Sequence, residues 1–267
     1  MTTTQPRVAL VTGAARGIGA ATVRRLVADG FYVLALDSVA GDDQRPAPGY
    51  SLASRAELNA LAAEHRDQVE PAMADVRDRD ALASAVEAAV QRWGRLDVAV
   101  AAAAVIAGGQ PLWETPEAEF DLLWDVDVKG VWNTAAVTVP AMLRGPDPSG
   151  CRFVAVASAA GSHGLYWLSA YTAAKHAVVG IVRGLAADLV GTGVTAVAVS
   201  PGSTDTQMLV ATAAMYGLSS VAELAKHQLL RRILTPEEIA ETIAFCCSPA
   251  GAVVNGTVVH ADGGFPG

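Results

Sequence analysis

Short runs rich in apolar and β-branched residues alternate along this chain with longer stretches whose apolar positions recur at helical spacing. The short runs fall at 8–12, 32–37, 69–74, 98–103, 151–157, 194–200 and 256–260, and predict strands. Between them "GAATVRRLVADG", "DALASAVEAAVQRWG", "AEFDLLWDVDVKGVWNTAAVTVPAML", "YTAAKHAVVGIVRGLAADLVGTG" and "TPEEIAETIAFCCS" read as helices. The third is long enough to expect a bend or break inside it. This alternation predicts an α/β fold: a doubly wound parallel sheet of about seven strands with helices on both faces.

Two segments interrupt the rhythm. Residues 38–70 form an enlarged connection, first rich in Pro, Gly and acidic side chains, then helix-like from Ser54, with Glu57 three residues on as in a capping box. Residues 203–234 mix Met, Leu and Tyr with small residues and suit a mobile helical flap over a substrate. Loops at the carboxyl ends of parallel strands are where such sheets bind ligands.

Composition narrows the choice. The 267 residues, 52% hydrophobic and 17% charged, are enough for one sizeable domain over 1–267 and short for two. Net charge is −8 and the 19 Lys and Arg are scattered, so the electrostatic footprint of a nucleic-acid binder is missing. Cys151, Cys246 and Cys247 lack C-x-x-C spacing and read as small buried apolar residues, with no metal site expected. The first residues carry no signal-peptide pattern and no run reaches about 18 uninterrupted apolar residues, which predicts a cytoplasmic protein without a membrane partner.

Chemistry enters with "VALVTGAARGIGAATVRRL", where Gly13, Gly17 and Gly19 follow the first strand and open the first helix, with Arg16 and Ile18 among them. Glycines there let the backbone turn sharply and approach a pyrophosphate, whose charge the helix N-terminus favours. Asp37 ends the second strand 18 residues after Gly19, where an acid can accept hydrogen bonds from an adenosine ribose. Its carboxylate would repel a 2'-phosphate, which argues for NAD over NADP; Arg16 points the other way, since a basic residue at that place could meet the phosphate.

The motif T-G-x-x-x-G-x-G, here "TGAARGIG", resembles the short-chain dehydrogenase/reductase family, and the rest of that family's pattern follows over nearly the whole chain. Asp75 and Val76 in "ADVRD" match its adenine-contacting pair. Ser158, Tyr171 and Lys175, the last two in "YTAAK", match its catalytic residues, with the usual 13 positions from Ser to Tyr. Pro201 and Gly202 in "SPGSTDTQM", with Thr204 and Thr206 beyond them, match the turn beside the nicotinamide, and "HADGGF" matches the closing strand. The resemblance implies a Rossmann-type NAD-binding domain, an oxidoreductase acting on an alcohol/carbonyl pair, and a homotetramer. More narrowly, the Asp37 strand followed by an enlarged connection, "VIAGGQPLWET" and the "VVHADGGFPG" ending resemble the mycofactocin-coupled branch, which implies bound NAD re-oxidised by the redox carrier mycofactocin, the connection acting as a cover.

Tyr171 and Lys175, four apart on a helix, share one face. A phenol ordinarily titrates near 10, and a neighbouring ammonium stabilises the phenolate, which suits Tyr171 to general base or acid work while Ser158 holds the same substrate oxygen. His163 and His176 raise a hydrolase alternative, against which no G-x-S-x-G elbow surrounds Ser158. Two departures from the family stand out. Its fourth catalytic position, an Asn, falls on Asp127 in "DVDVKG", which offers no side-chain donor when ionised and could pair with Lys175 instead. Where the family writes Asn-Asn-Ala-Gly, this chain has Ala101, Ala102, Ala103 and Ala104, with main chain at Ala102 and Ala103 expected to face the cofactor and other groups required to brace that turn. Trp113, Trp167, Met208, Leu209, Met215 and Tyr216 fall on segments expected around the catalytic Tyr, so a small apolar alcohol or ketone is the expected substrate. Alternatives are a reductase with freely exchanging NAD(H), acting on a 3-oxoacyl or sugar-like substrate, and a catalytically impaired dinucleotide sensor.

Overall fold

The apolar runs form strands where their composition predicts them. In the computed structural model, which describes residues 5–42 and 49–266, they are β1 (Val8–Thr12), β2 (Tyr32–Asp37), β3 (Val69–Met73), β4 (Val98–Ala101), β5 (Arg152–Val156), β6 (Thr195–Pro201) and β7 (Val258–Ala261). All pair in parallel, in the order β3-β2-β1-β4-β5-β6-β7. The winding reverses between β1 and β4, which opens a crevice at the carboxyl ends of those two strands.

The helices are α1 (Gly17–Ala28), α2 (Arg55–Glu64), α3 (Arg79–Trp93), α4 (Glu117–Leu123), α5 (Gly130–Leu143), α6 (Ser169–Asp188), α7 (Gln207–Met215) and α8 (Pro236–Cys247). Period-two alternation within the strands divides the core. Ala9, Val11, Val33 and Val154 pack under α1, α2 and α8, whereas Val8, Leu10, Leu34 and Phe153 pack under α3, α5 and α6. Each fully buried Val, Leu or Phe contributes on the order of 1.5–3 kcal/mol. Pro71 sits in β3, an edge strand, where its missing N–H costs no ladder bond. Cys151, Cys246 and Cys247 are free and buried.

The structure refines the expected boundaries in two places that matter for the site. β4 ends at Ala101 rather than at residue 103, because the amides of Ala102 and Ala103 turn away from the sheet to the Thr12 hydroxyl, 3.1 Å from each. The long helix does break: between α4 and α5 lies a π-helical stretch over Trp124–Lys129, the wider turn that brings Asp127 inward. Gly130 follows because a Cβ there would stand 2.5 Å from a Val76 methyl.

The connection after β2 begins with an extended return in which Gly41 N–H donates to the Ala53 carbonyl (2.8 Å), and the Ser54–Glu57 capping box then opens α2. Residues 43–48, the middle of its Pro-rich half, lie outside the described residues. The 203–234 segment carries α7 and a 3-10 stretch over Val221–His227. Among the described residues no helix is long and apolar enough to cross a membrane.

Candidate active site

A cleft of about 780 Å³ runs along the carboxyl ends of the strands, from Asp37 at the β2 end to Ser158 and Tyr171 beyond β5. Its dinucleotide end is built from backbone. Gly17 has φ +56°, and a Cβ at Gly19 would meet the Gly13 carbonyl oxygen at 2.0 Å, so the loop folds on itself as only glycine allows. Gly13 lies against the alanine turn, where its Cβ would stand 2.7 Å from Ala103 Cα. Ile18 completes the first turn of α1, whose positive end faces the cleft. Asp37 is held in place by the amides of Ala15 (3.1 Å to Oδ2) and Val39 (3.0 Å to Oδ1), and each oxygen keeps a lone pair for a further donor.

The remaining positions read from the sequence on this side come to the same cleft. Asp75 and Val76 line it, with the Asp75 carboxylate gripped by the Arg77 guanidinium and the Val76 carbonyl accepting from Asn133 Nδ2 at 3.0 Å. Ala102 and Ala103 form its floor; Pro201, Gly202, Thr204 and Thr206 form the wall after β6. Thr206 caps α7 by accepting from Leu209 N–H, and its methyl lies beside Gly17. Arg16 also lines the cleft, and its Nη2 donates to the Ser51 carbonyl at 2.5 Å, tying the glycine loop to the connection after β2. A dinucleotide fits this arrangement of glycine loop, helix terminus and buried acid.

At the other end three elements converge. Ser158, just past β5, stands within hydrogen-bonding reach of the Tyr171 phenol, and its hydroxyl also accepts from Ala160 N–H at 3.2 Å. Tyr171 and Lys175 stack on one face of α6, with the ammonium 5.5 Å from the phenol ring centre. Lys175 Nζ lies 3.4 Å from the Val156 carbonyl and 3.1 Å from Asp127 Oδ2, both charged side chains being fully buried. That contact is an ion pair without hydrogen-bond alignment, whereas Asp127 Oδ1 accepts squarely from Val105 N–H at 2.9 Å. Asp127 therefore fastens the end of the alanine turn and neutralises the lysine at once.

Burial pushes the Tyr171 phenol above its ordinary value; Lys175 pulls it back, Asp127 adds to the rise and Ser158 opposes it. Burial also disfavours the Lys175 ammonium, but the charges of Asp127 and Tyr171 outweigh it and the lysine is held protonated. His163 tilts against the Phe265 ring and His176 turns to the Thr172 carbonyl, so a serine–histidine pair of the hydrolase kind is not assembled.

Two contributors escaped the sequence reading. Thr12 is part of the T-G motif, yet its function as the brace of the alanine turn shows only in the fold. Tyr50, in the connection after β2, reaches across the cleft: its hydroxyl accepts from Ile106 N–H at 3.2 Å, and with Leu52 it packs against the cluster that holds Leu168 and Tyr171. Burial raises its phenol to about 12, so it stays a neutral hydrogen-bonding group. Of the expected substrate contacts, Met208 and Leu209 line the cleft. Met215 and Tyr216 pack behind it, Trp167 stacks on Tyr166 at φ +57°, and Trp113 faces outward with 80% of its surface exposed.

Over residues 13–266 the chain matches the family described as enoyl-(acyl carrier protein) reductase. It is 34% identical over 263 residues to cis-4-hydroxycyclohexanecarboxylate dehydrogenase of Sinomonas cyclohexanicum, covering 97% of this chain and 96% of that one. It is also 32% identical over 267 residues, 97% of each chain, to the 3-oxoacyl-acyl-carrier-protein reductase FabG of Thermotoga maritima. The crystal structure of carveol dehydrogenase from Mycobacterium avium in complex with NAD shares the fold with a TM-score of 0.88 at 27% identity, over 97% of this chain and 96% of that one.

Proposed function

The chain belongs to the short-chain dehydrogenase/reductase family, and from that premise we propose an NAD-dependent oxidoreductase that interconverts a small secondary alcohol and its ketone. The observation that carries this reading is the meeting of Ser158, Tyr171 and Lys175 at one end of a cleft whose other end is a glycine loop and a buried Asp37. When bound, the nicotinamide supplies the hydride acceptor. Gly13, Gly17, Gly19 and Asp37 would hold the adenosine and pyrophosphate side, and Pro201, Gly202, Thr204 and Thr206 the nicotinamide side. Ser158 orients the substrate oxygen, Tyr171 takes its proton in oxidation or gives it back in reduction, and Lys175 supports the phenolate. A sensor without chemistry would have no use for this trio.

Around the reacting end the cleft presents Leu165, Leu168, Met208 and Leu209, with no ionisable group on these positions. This favours an uncharged, apolar alcohol or ketone over a carboxylated or phosphorylated one, and it agrees with the alcohol for which carveol dehydrogenase is named rather than with the carboxylated alcohol of the hydroxycyclohexanecarboxylate dehydrogenase.

A second reading has its own observation. The Arg16–Ser51 and Tyr50–Ile106 hydrogen bonds carry the connection after β2 from the glycine loop to the catalytic end, as a cover over bound NAD would require. It supports NAD that stays bound and is re-oxidised by mycofactocin. The test is mass spectrometry of small molecules released on denaturation, paired with turnover of cyclic secondary alcohols with added NAD or an artificial electron acceptor. Stoichiometric NAD release and turnover only with the acceptor are expected; a protein that arrives empty and turns over with added NAD overturns retention while leaving the dehydrogenase reading intact. Tyr50→Ala should speed NAD release about tenfold, the worth of one buried hydrogen bond and its packing. The exposed Phe120, Trp124 and Trp132 along the long helix suit the tetramer expected from the family, and sedimentation should return four times the chain mass; a monomer at micromolar concentration refutes it.

A further inference from the structure

The charge on Asp127 has a consequence that the catalytic trio alone does not. The carboxylate enters the site from the π-helical stretch, is fully buried, and divides its oxygens between a backbone amide (Val105) and an ammonium (Lys175). Facing it from the other elements are Lys175 and Tyr171 on α6 and the Tyr50 hydroxyl of the connection after β2; Asp125 and Lys129, on its own stretch, pair with each other outside. Lys175 is the cation of this buried group, and Asp127 cancels it. The set thus starts neutral, and ionising Tyr171 leaves a buried net charge of one unit negative. With an amide at position 127 the set would start at one unit positive, and ionising Tyr171 would bring it to zero. Burying an uncompensated charge costs far more than burying a balanced one.

Building on the dehydrogenase reading, we propose that Asp127 is a positioning residue that sets the pH at which Tyr171 acts as a base, holding Lys175 in place while withdrawing part of its charge from the phenol. Oδ1 supplies the bracing and Oδ2 the charge. An Asn keeps the first and abolishes the second, so substitution separates them.

The titration of Tyr171 is read directly, without cofactor or substrate, as the tyrosinate absorbance of the protein minus that of its Tyr171→Phe variant. In Asp127→Asn and Asp127→Ser the Tyr171 step is expected to move down by on the order of one pH unit or more, the size of a neighbouring-charge effect. Asp127→Glu, which keeps the charge, should remain with the unsubstituted protein. Where alcohol oxidation is measurable, the acid limb of kcat/KM should move with the absorbance step. A Tyr171 step that stays in place in both neutral variants, or one that moves in Asn but not in Ser, overturns the proposal. A shifted step in a protein that oxidises no alcohol would uphold the charge effect and refute the dehydrogenase reading instead.

Discussion

Tyr171→Phe is expected to lower alcohol turnover by roughly 10²–10⁴-fold, the range of a single acid–base group, while NAD affinity stays within about twofold. The separation follows from where the ring sits. Tyr171 is buried among Leu168, Ala174 and Ile106, so a phenyl ring of the same shape keeps that packing and removes only the hydroxyl. The pyrophosphate and adenosine contacts proposed for Gly13, Gly17, Gly19 and Asp37 lie at the far end of the cleft. Steady-state kinetics beside calorimetric titration with NAD measure both quantities. An unaffected rate removes Tyr171 from the chemistry; a lost affinity would show that the hydroxyl holds the cofactor more than the substrate.

Lys175→Met should act on the fold as strongly as on catalysis. It leaves the Asp127 carboxylate buried with the Val105 amide as its remaining donor, and breaking a buried pair in this way costs about 3–5 kcal/mol near neutral pH. The cost depends on pH with a definite sign. Burial pushes the Asp127 carboxyl above its unfolded value even beside Lys175, and loss of the ammonium removes the largest opposing influence and pushes it further. At this site the folded variant then binds more protons than the unfolded chain between those two values, so the site's contribution to stability is greatest below the unfolded pKa near 3.9 and falls as pH rises through the folded one. Thermal melting at pH 5 and pH 8 should show the gap to the unsubstituted protein widening with pH. A gap that is constant or narrows would mean that the Asp127 charge is compensated elsewhere. The double variant Lys175→Met with Asp127→Asn should recover much of the loss.

What the sequence discloses here is what local chemistry determines. Ser54 and Glu57 announce their helix because the capping box closes within four residues. Tyr171 and Lys175 meet because helical spacing puts them on one face, and the glycine loop is legible because strand, turn and helix stand in order. Asp127 is a middle case. Its departure from the family's Asn is plain in the sequence, and so is the option of pairing with Lys175, but only the fold shows that one carboxylate does two tasks. Tyr50 and the Arg16–Ser51 bond were not legible, since their partners lie 56 and 35 residues away and nothing in a Pro-rich stretch specifies where its far end lands. Trp113 misled for the opposite reason: a large apolar side chain near a site invites a ligand role, and this one faces solvent.

The alanine turn that follows β4, at 102–104, has no chemistry of its own because its neighbours do the work: Thr12 takes the amides of Ala102 and Ala103, Asp127 takes that of Val105 just beyond the turn, and Gly13 lies against its main chain. What braces the main chain at the reversal point of the sheet is therefore written in residues far away in the chain, and the turn itself supplies little more than small volume and main chain.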